Sequence, residues 1–270
     1  MRSGDASVFY PDPARSWIGV APARFVATLL LVLLVYGFSF YFVDFDVGRL
    51  WSGLPKLAHW AAKAWPPDTS ELGVLIERAI ETVAMAVVGT TIGVVIAAPC
   101  CILAAQNITP SRLLYTPMRW FLNTLRGIDS FIFALLFVAA VGLGPFAGVL
   151  GIGLHSAGTI AKLWSEAIEA AEPGPLEAAA LTGANRLKVI SYALLPDVLP
   201  NLTSITLYVW EFNVRSSTVL GVVGAGGIGQ ELKNSVDLLD FARLFTIILI
   251  ILAMVTVIDQ FSAWLRRKLV

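Results

Sequence analysis

"SFIFALLFVAAVGLGPFAGVLGIGLHSAGTIA", residues 130–161, contains no Asp, Glu, Lys or Arg. As one α-helix it would run about 48 Å, against a bilayer hydrocarbon core of about 30 Å. "GLGP" (142–145) sits in its middle, and Gly and Pro together break helices. The stretch therefore reads as a hairpin of two membrane helices, 124–142 and 146–166, each borrowing flanking polar residues.

The same pattern recurs on both sides of the hairpin. Phe25–Val43 is a 19-residue apolar run between Arg24 and Asp44, and "TVAMAVVGTTIGVVIAAPCCILAA" (82–105) is another. A fifth candidate span starts near Asn201 and carries charges; a sixth, "LFTIILIILAMVTVI", follows Arg243 and ends before "RRK". The expected fold class is all-α, a polytopic membrane protein with six transmembrane helices. Composition agrees, because 57% of residues are hydrophobic and only 14% charged, where soluble domains carry about 25% charged residues. Net charge is zero, so no bulk basic field points to nucleic acid. Cys100 and Cys101 are adjacent, which suits neither a disulfide framework nor a metal site. Phe25–Val43 is longer than the roughly 7–15 residues of a signal-peptide core and follows a long polar, Pro-containing segment, so it reads as a retained membrane helix.

Lys and Arg prefer cytoplasmic loops. With the N-terminus inside, six spans place twelve of the 19 basic residues on the cytoplasmic side, and both termini lie there. The loop 44–80, with "WPPD" and several Trp, reads as lying on the membrane surface. Three regions follow: 1–74 (N-terminal segment, first span and external loop), 75–265 (the membrane core with a cytoplasmic loop at 167–200), and a C-terminal tail, 266–270.

Within the cytoplasmic loop, Pro175 is expected to open a helix, since its missing N–H would be unpaired there anyway. Glu177 then falls in the first turn, where the helix dipole favours an acid. Leu176–Thr182 reads as a short Ala-rich helix, with Gly183 supplying the turn out. A second helical stretch, Leu187–Leu195, is expected to stop near Pro196. The short helix is either a connector on the membrane surface or a small-residue face that lets another surface come close.

Polar residues inside the spans are the candidate functional groups. Asn201, Ser204, Tyr208, Glu211, Arg215 and Thr218 recur every three or four residues and form one stripe on the fifth span. Glu211 and Arg215 are in the favoured i,i+4 order for a helix ion pair, which either ties the bundle together or lines a path. His155, with Ser156 and Thr159, is a smaller patch on the fourth span. Gly89 and Gly93, and the glycines at 148, 151, 153 and 158, read as faces for close helix packing.

"VVGAGGIGQEL" (222–232) contains Gly224-x-Gly226-x-x-Gly229, the dinucleotide-binding spacing. That reading requires a βαβ unit of roughly 30 residues, whereas the next apolar run reads as a span. Gly224, Gly226, Gly227 and Gly229 are instead expected to give a tight, irregular backbone on the external side, a gate element at the mouth of the path. No Gly-x-x-x-x-Gly-Lys-Ser/Thr loop occurs in the chain.

"EAAALTGANRLKVISYALLP" (177–196) resembles the EAA loop of ABC-importer permeases. Glu177, Ala178, Ala179, Gly183, Leu195 and Pro196 match that motif in place, while Ala193 stands where the family usually has Ile. "FVAAVGLGPFAGVLGIGLHSAGTIAKLWSEAIE" (137–169) and "VRSSTVLGVVGAGGIGQEL" (214–232) resemble the phosphonate-importer permease branch, with Asp129-Ser130 where relatives usually have Pro-Glu. The resemblance covers roughly residues 75–265. It implies a type I ABC-importer permease-like fold in the bacterial inner membrane and a coupling helix at 177–196 that docks on a cytoplasmic ABC ATPase. It also implies an external phosphonate-binding protein, a second permease copy (a homodimer), and ATP and Mg used by the ATPase, with no cofactor, metal or catalytic residue in this chain. Ser204, Tyr208, Glu211, Arg215, Thr218 and His155 would line the translocation path, with Arg215 offsetting the substrate's charge. The alternatives are a proton-coupled secondary transporter using Glu211 and His155, and a membrane oxidoreductase with a dinucleotide at 224–229. Neither uses the 177–196 loop.

Overall fold

A computed structural model describes residues 21–109 and 111–269. Every regular element among the described residues is helical. The chain divides into two units, residues 1–59 and 60–270.

In the first unit, α1 (Ala21–Phe42) is apolar around its whole circumference. α2 (Val47–Lys63), which runs across the unit boundary, is amphipathic. Leu50, Leu54, Leu57 and Ala61 share one face of α2, and Arg49, Lys56 and Lys63 fall on the other. The loop expected over 44–80 thus contains a helix of its own.

The second unit holds α3 (Leu72–Ala104), α4 (Arg112–Gly127), α5 (Ser130–Val141), α6 (Pro145–Glu169), α7 (Pro173–Leu181), α8 (Arg186–Val189), α9 (Leu195–Gly221), α10 (Ile228–Asp237) and α11 (Phe241–Leu269). A π-turn, Ile190–Leu194, joins α8 to α9. Four described helices are long and apolar enough to cross a membrane: Arg24–Phe42, α3, α6 and Phe241–Lys268. A bent pair, Leu113–Gly127 with Ser130–Val141, makes a fifth if counted as one span. α9 has the length of a span at 27 residues, but its polar stripe makes it less apolar than these.

Several expected boundaries are corrected. The third span, expected over 124–142, is broken at Ile128–Asp129, where α4 and α5 meet at 83°. The cause is local. Asp129 takes an extended conformation and caps α5, its carboxylate accepting from the Phe131 N–H at 2.8 Å. α3 begins ten residues before the expected 82, because Arg78 pairs with Glu81 at 2.6 Å and these charges fit a helix that continues beyond the apolar stretch. α7 opens at Pro173 rather than Pro175, so Glu177 sits in its second turn and Glu172 takes the N-cap. The helical path does not stop at Pro196. The π-turn widens the helix there, with Leu195 N–H reaching back to the Ile190 carbonyl, and this relieves the clash a proline ring makes with the carbonyl four residues back.

α6 is the centre of the unit, and its small residues explain why. A β-carbon on Gly89 of α3 would stand 2.7 Å from Ile152, and one on Gly93 would stand 2.7 Å from Ser156. On the other faces of α6, Gly151 lies against Ala134 of α5 and Gly158 against Leu125 of α4. Backbones approach this closely only where side chains are absent, which is how helices gain van der Waals contact within lipid. One buried polar group sits inside this packing. Asn213 of α9, fully buried, donates through its amide to Thr90 Oγ1 of α3 and Ser156 Oγ of α6, both at 2.8 Å. Ahead of α3, the Asp68 carbonyl accepts from Thr246 Oγ1 of α11 at 2.7 Å. The Asp68 carboxylate accepts from the Ser70 N–H, which holds it below its usual range.

Candidate functional site

The 177–196 loop presents its motif outward. α7 has no buried residue, and Glu177, Ala178, Gly183, Leu195 and Pro196 are exposed, with Ala179 half-buried. Gly183 has φ +79°, the left-handed turn out of the helix that its position demands. Leu181, Leu187 and Tyr192 stand exposed around α7, at 88, 76 and 82%. Leu176 and Ile190 pack partly buried against the core, and Leu194 of the π-turn is buried in it.

The loop is hung from the bundle by a polar latch that sequence reasoning missed. Glu169, the last residue of α6, accepts from Arg119 Nη2 at 2.6 Å and from the Gln106 backbone N–H at 2.7 Å. Arg119 Nε donates to the Ala104 carbonyl, closing the end of α3. Asn107 Nδ2 donates to the Ile168 carbonyl at 2.7 Å, and Arg186 donates to the carbonyl of Ile108. The ends of α3 and α6, the middle of α4 and the segment after α7 are thereby tied at one point. The only sequence signal for this was the density of polar residues between 104 and 112.

The polar stripe on α9 divides. Glu211 and Arg215 pair as expected, and α11 completes them. Glu211 accepts from Arg266 at 3.0 Å, and Arg215 donates to Asp259 at 2.9 Å. Two acids and two guanidiniums sum to zero charge. Thr218 is buried and bonded to its own helix through the Val214 carbonyl. Ser204 is half-buried and Asn201 exposed. Tyr208, exposed at 56%, instead meets His155 across a cleft of about 370 Å³ whose walls also include Arg126, Thr159, Leu163 and Phe212. His155 Nδ1 lies 2.9 Å from the Ile128 carbonyl. A carbonyl only accepts, so Nδ1 carries the proton and Nε2 is the ring's remaining polar atom.

The glycine segment is a packed turn. Gly224, Gly226 and Gly227 have φ of +87, +80 and +70°, a run that L side chains resist. Residues 225–229 are buried. The Ile228 N–H, first of α10, donates to Thr82 Oγ1 at 2.8 Å, and the Gly224 carbonyl accepts from the Gly144 N–H at 2.9 Å. The turn is thus bonded to the "GLGP" break between α5 and α6, and the amide that a phosphate would use is occupied. α10, unforeseen in the sequence, is held by Glu231, which accepts from Arg243 at 2.9 Å.

A polytopic helical bundle with close-packed glycine faces, a charge-balanced network between α9 and α11 and an exposed helix on a latched loop defines a class of membrane transport components. The chain belongs to the family of binding-protein-dependent transport system inner membrane components, which it matches over residues 74–270. It is 48% identical over 243 residues to a protein named for phosphite transport, the permease HtxC of Stutzerimonas stutzeri, covering 90% of this chain and 86% of that one. The phosphite transport system permease protein PtxC of the same species is 44% identical over 222 residues, covering 82 and 81%. The phosphate-import permease protein PhnE of Mycolicibacterium smegmatis is 42% identical over 206 residues, covering 76% of this chain and 39% of that one. A solved chain of the MetNI methionine ABC transporter superposes with a TM-score of 0.67 at 22% identity, covering 75% of this chain and 99% of that one, a likeness of fold.

Proposed function

We propose that this chain is the membrane-spanning permease subunit of an ATP-driven importer, and that it forms the path for phosphite, phosphonate or a related phosphorus oxyanion. The observation that carries this is α7, a short helix with no buried residue, latched at the end of the central helix of a binding-protein-dependent permease. An unsupported helix that exposes Glu177, Ala178 and neighbouring leucines is built to be covered by a partner surface. In this reading it is the coupling helix, it faces the cytoplasm, and ABC ATPase subunits dock on it. ATP and Mg are bound and used by those subunits. An external binding protein delivers the anion, a second copy of the chain completes the path, and both termini are cytoplasmic. The chain makes six passes, counting α9 and the bent α4–α5 pair.

The path runs beside Ser204, Tyr208, Glu211, Arg215, Thr218 and His155, and the turn at Gly224, Gly226, Gly227 and Gly229 closes it externally. The ATPase cycle drives a two-state switch by binding one state of the permease better than the other. The names and identities of the phosphite and phosphate permeases support the substrate class.

The test is uptake of phosphite by proteoliposomes holding the chain, its ATPase and its binding protein. Uptake is expected to require ATP. Glu177→Lys with Gly183→Asp should lower it by about tenfold or more, as loss of one partner contact of about 1.4 kcal/mol does. Uptake that proceeds equally without the ATPase would overturn the reading in favour of a proton-driven carrier.

A further inference from the structure

We infer that Arg126, His155, Thr159 and Tyr208 form an anion-contact subsite on the path, shaped for a phosphorus oxyanion with one apolar substituent. The inference rests on the permease reading above and adds the residues that touch the substrate.

Arg215 is the cation that sequence reasoning put forward, yet it is neutralised by Glu211 and Asp259, with Arg266 balancing the remaining acid. A network already satisfied has little left with which to offset a passing anion. Arg126, in the last turn of α4, makes no ion pair among the described residues, and no carboxylate lines the cleft it borders. It is the only charged side chain on that cleft. A guanidinium presents paired N–H groups that match two oxygens of one anion.

The second observation is a hydroxyl without a partner. Thr159 Oγ1 is buried from solvent and makes no hydrogen bond. A threonine in a helix ordinarily bonds the carbonyl four residues back, as Thr90, Thr91 and Thr206 do here. Thr159 lines the same cleft as Arg126 and leaves its hydroxyl unspent, and buried polar groups without partners are rare enough to need a reason.

The third is His155. The Ile128 carbonyl fixes the Nδ1 proton, which leaves Nε2 as the ring atom that faces a ligand or a bound water. Tyr208 adds a phenol that donates or accepts. Leu163, Val209 and Phe212 complete the lining. At about 370 Å³, the cleft has room for a small anion and several waters of about 30 Å³ each. An anion with three oxygens and one P–H or P–C group suits this mixed lining, its oxygens bonding Arg126 and the hydroxyls and its substituent resting on the apolar side chains.

The experiment uses the assembled permease, ATPase and binding protein in proteoliposomes, with labelled phosphite as the probe. If the wild-type assembly takes up no phosphite with ATP, the permease reading fails for this anion and the subsite falls with it. Where wild type transports, Arg126→Gln should lower the uptake rate about tenfold and Arg126→Lys should restore part of it, because a point charge replaces only part of the fork. Thr159→Val should lower uptake about threefold to tenfold while leaving the thermal stability of the complex equal or higher, since it removes an unpartnered buried hydroxyl. A purely structural Thr159 would not separate the two readouts. Should Arg126→Gln prevent assembly, judged by the ATPase recovered with the permease, Thr159→Val decides alone. Uptake within about twofold of wild type in Thr159→Val, or in both variants when both assemble, overturns the proposal.

Discussion

At Gly229 the chain has no room for a β-carbon, because one built there would overlap the Thr218 carbonyl oxygen of α9. At Gly224 the obstacle differs: φ is +87°, and the only close neighbour is the flexible tip of Leu143. The two glycines share one motif but answer to different physics, and alanine separates them. Gly229→Ala must push α10 off α9 and should cost about 3 kcal/mol, the upper part of the usual overpacking range. Gly224→Ala pays left-handed strain of about 1–2 kcal/mol while Leu143 swings aside. In a chain of this size that corresponds to falls in Tm of about 6–12 °C and about 2–8 °C. Thermal unfolding in detergent or nanodiscs checks the order, and a larger loss in Gly224→Ala would refute the packing account. The spacing alone could not distinguish these roles, because a regular expression carries no φ and no neighbour. Asn213 was invisible for a related reason. It lies on the face of α9 opposite the polar stripe, where its partners Thr90 and Ser156 come from distant helices.

At the scale of elements, the 177–196 loop is only as rigid as its attachment. α7 contributes no fully buried side chain and only Leu176 in part, so its position is set mainly by Glu169, Arg119, Asn107 and Arg186, around the ends of α3 and α6 and the middle of α4. Glu169→Ala removes the acceptor of two hydrogen bonds, one from a guanidinium and one from the Gln106 backbone. Bonds to charged groups are worth about 1.5–3 kcal/mol, so local opening should become about tenfold or more frequent. Hydrogen exchange should therefore quicken across 105–109 and 170–190, while the glycine contact of α3 with α6 keeps its protection. Unchanged exchange across 170–190 would show that the loop is held some other way. The helix itself was legible, since Pro and Gly183 mark its ends, although it opened at Pro173 instead of Pro175. The break between α4 and α5 was legible only in Asp129, and one capping residue is a faint signal beside a dozen apolar neighbours. The closing partners Asp259 and Arg266 depend on how α11 is rotated against α9, which no local pattern records.

For the whole molecule, residues 74–270 match the family and residues 60–270 make one compact unit. Hydropathy made the all-helical membrane class plain, because about 20 apolar residues in a row have few other uses. It did not separate the part that carries the fold from the part added to it, since α1 is as apolar as the core helices. The separation has a mechanical consequence. If the second unit holds the close-packed glycine faces, the latch and the cleft, then residues 1–59 are dispensable for transport but not for insertion. Removing them deletes α1 and reverses the side from which α3 must enter the membrane. A chain that starts at Trp60 should therefore fail to insert correctly by itself. The same chain placed behind a cleavable secretory signal, which delivers residue 60 to the side α1 would have led it to, should assemble with the ATPase and keep at least about half of its phosphite uptake. Correct insertion, read by a topology reporter after Arg186, combined with loss of transport would show that α1 or α2 belongs to the working permease after all.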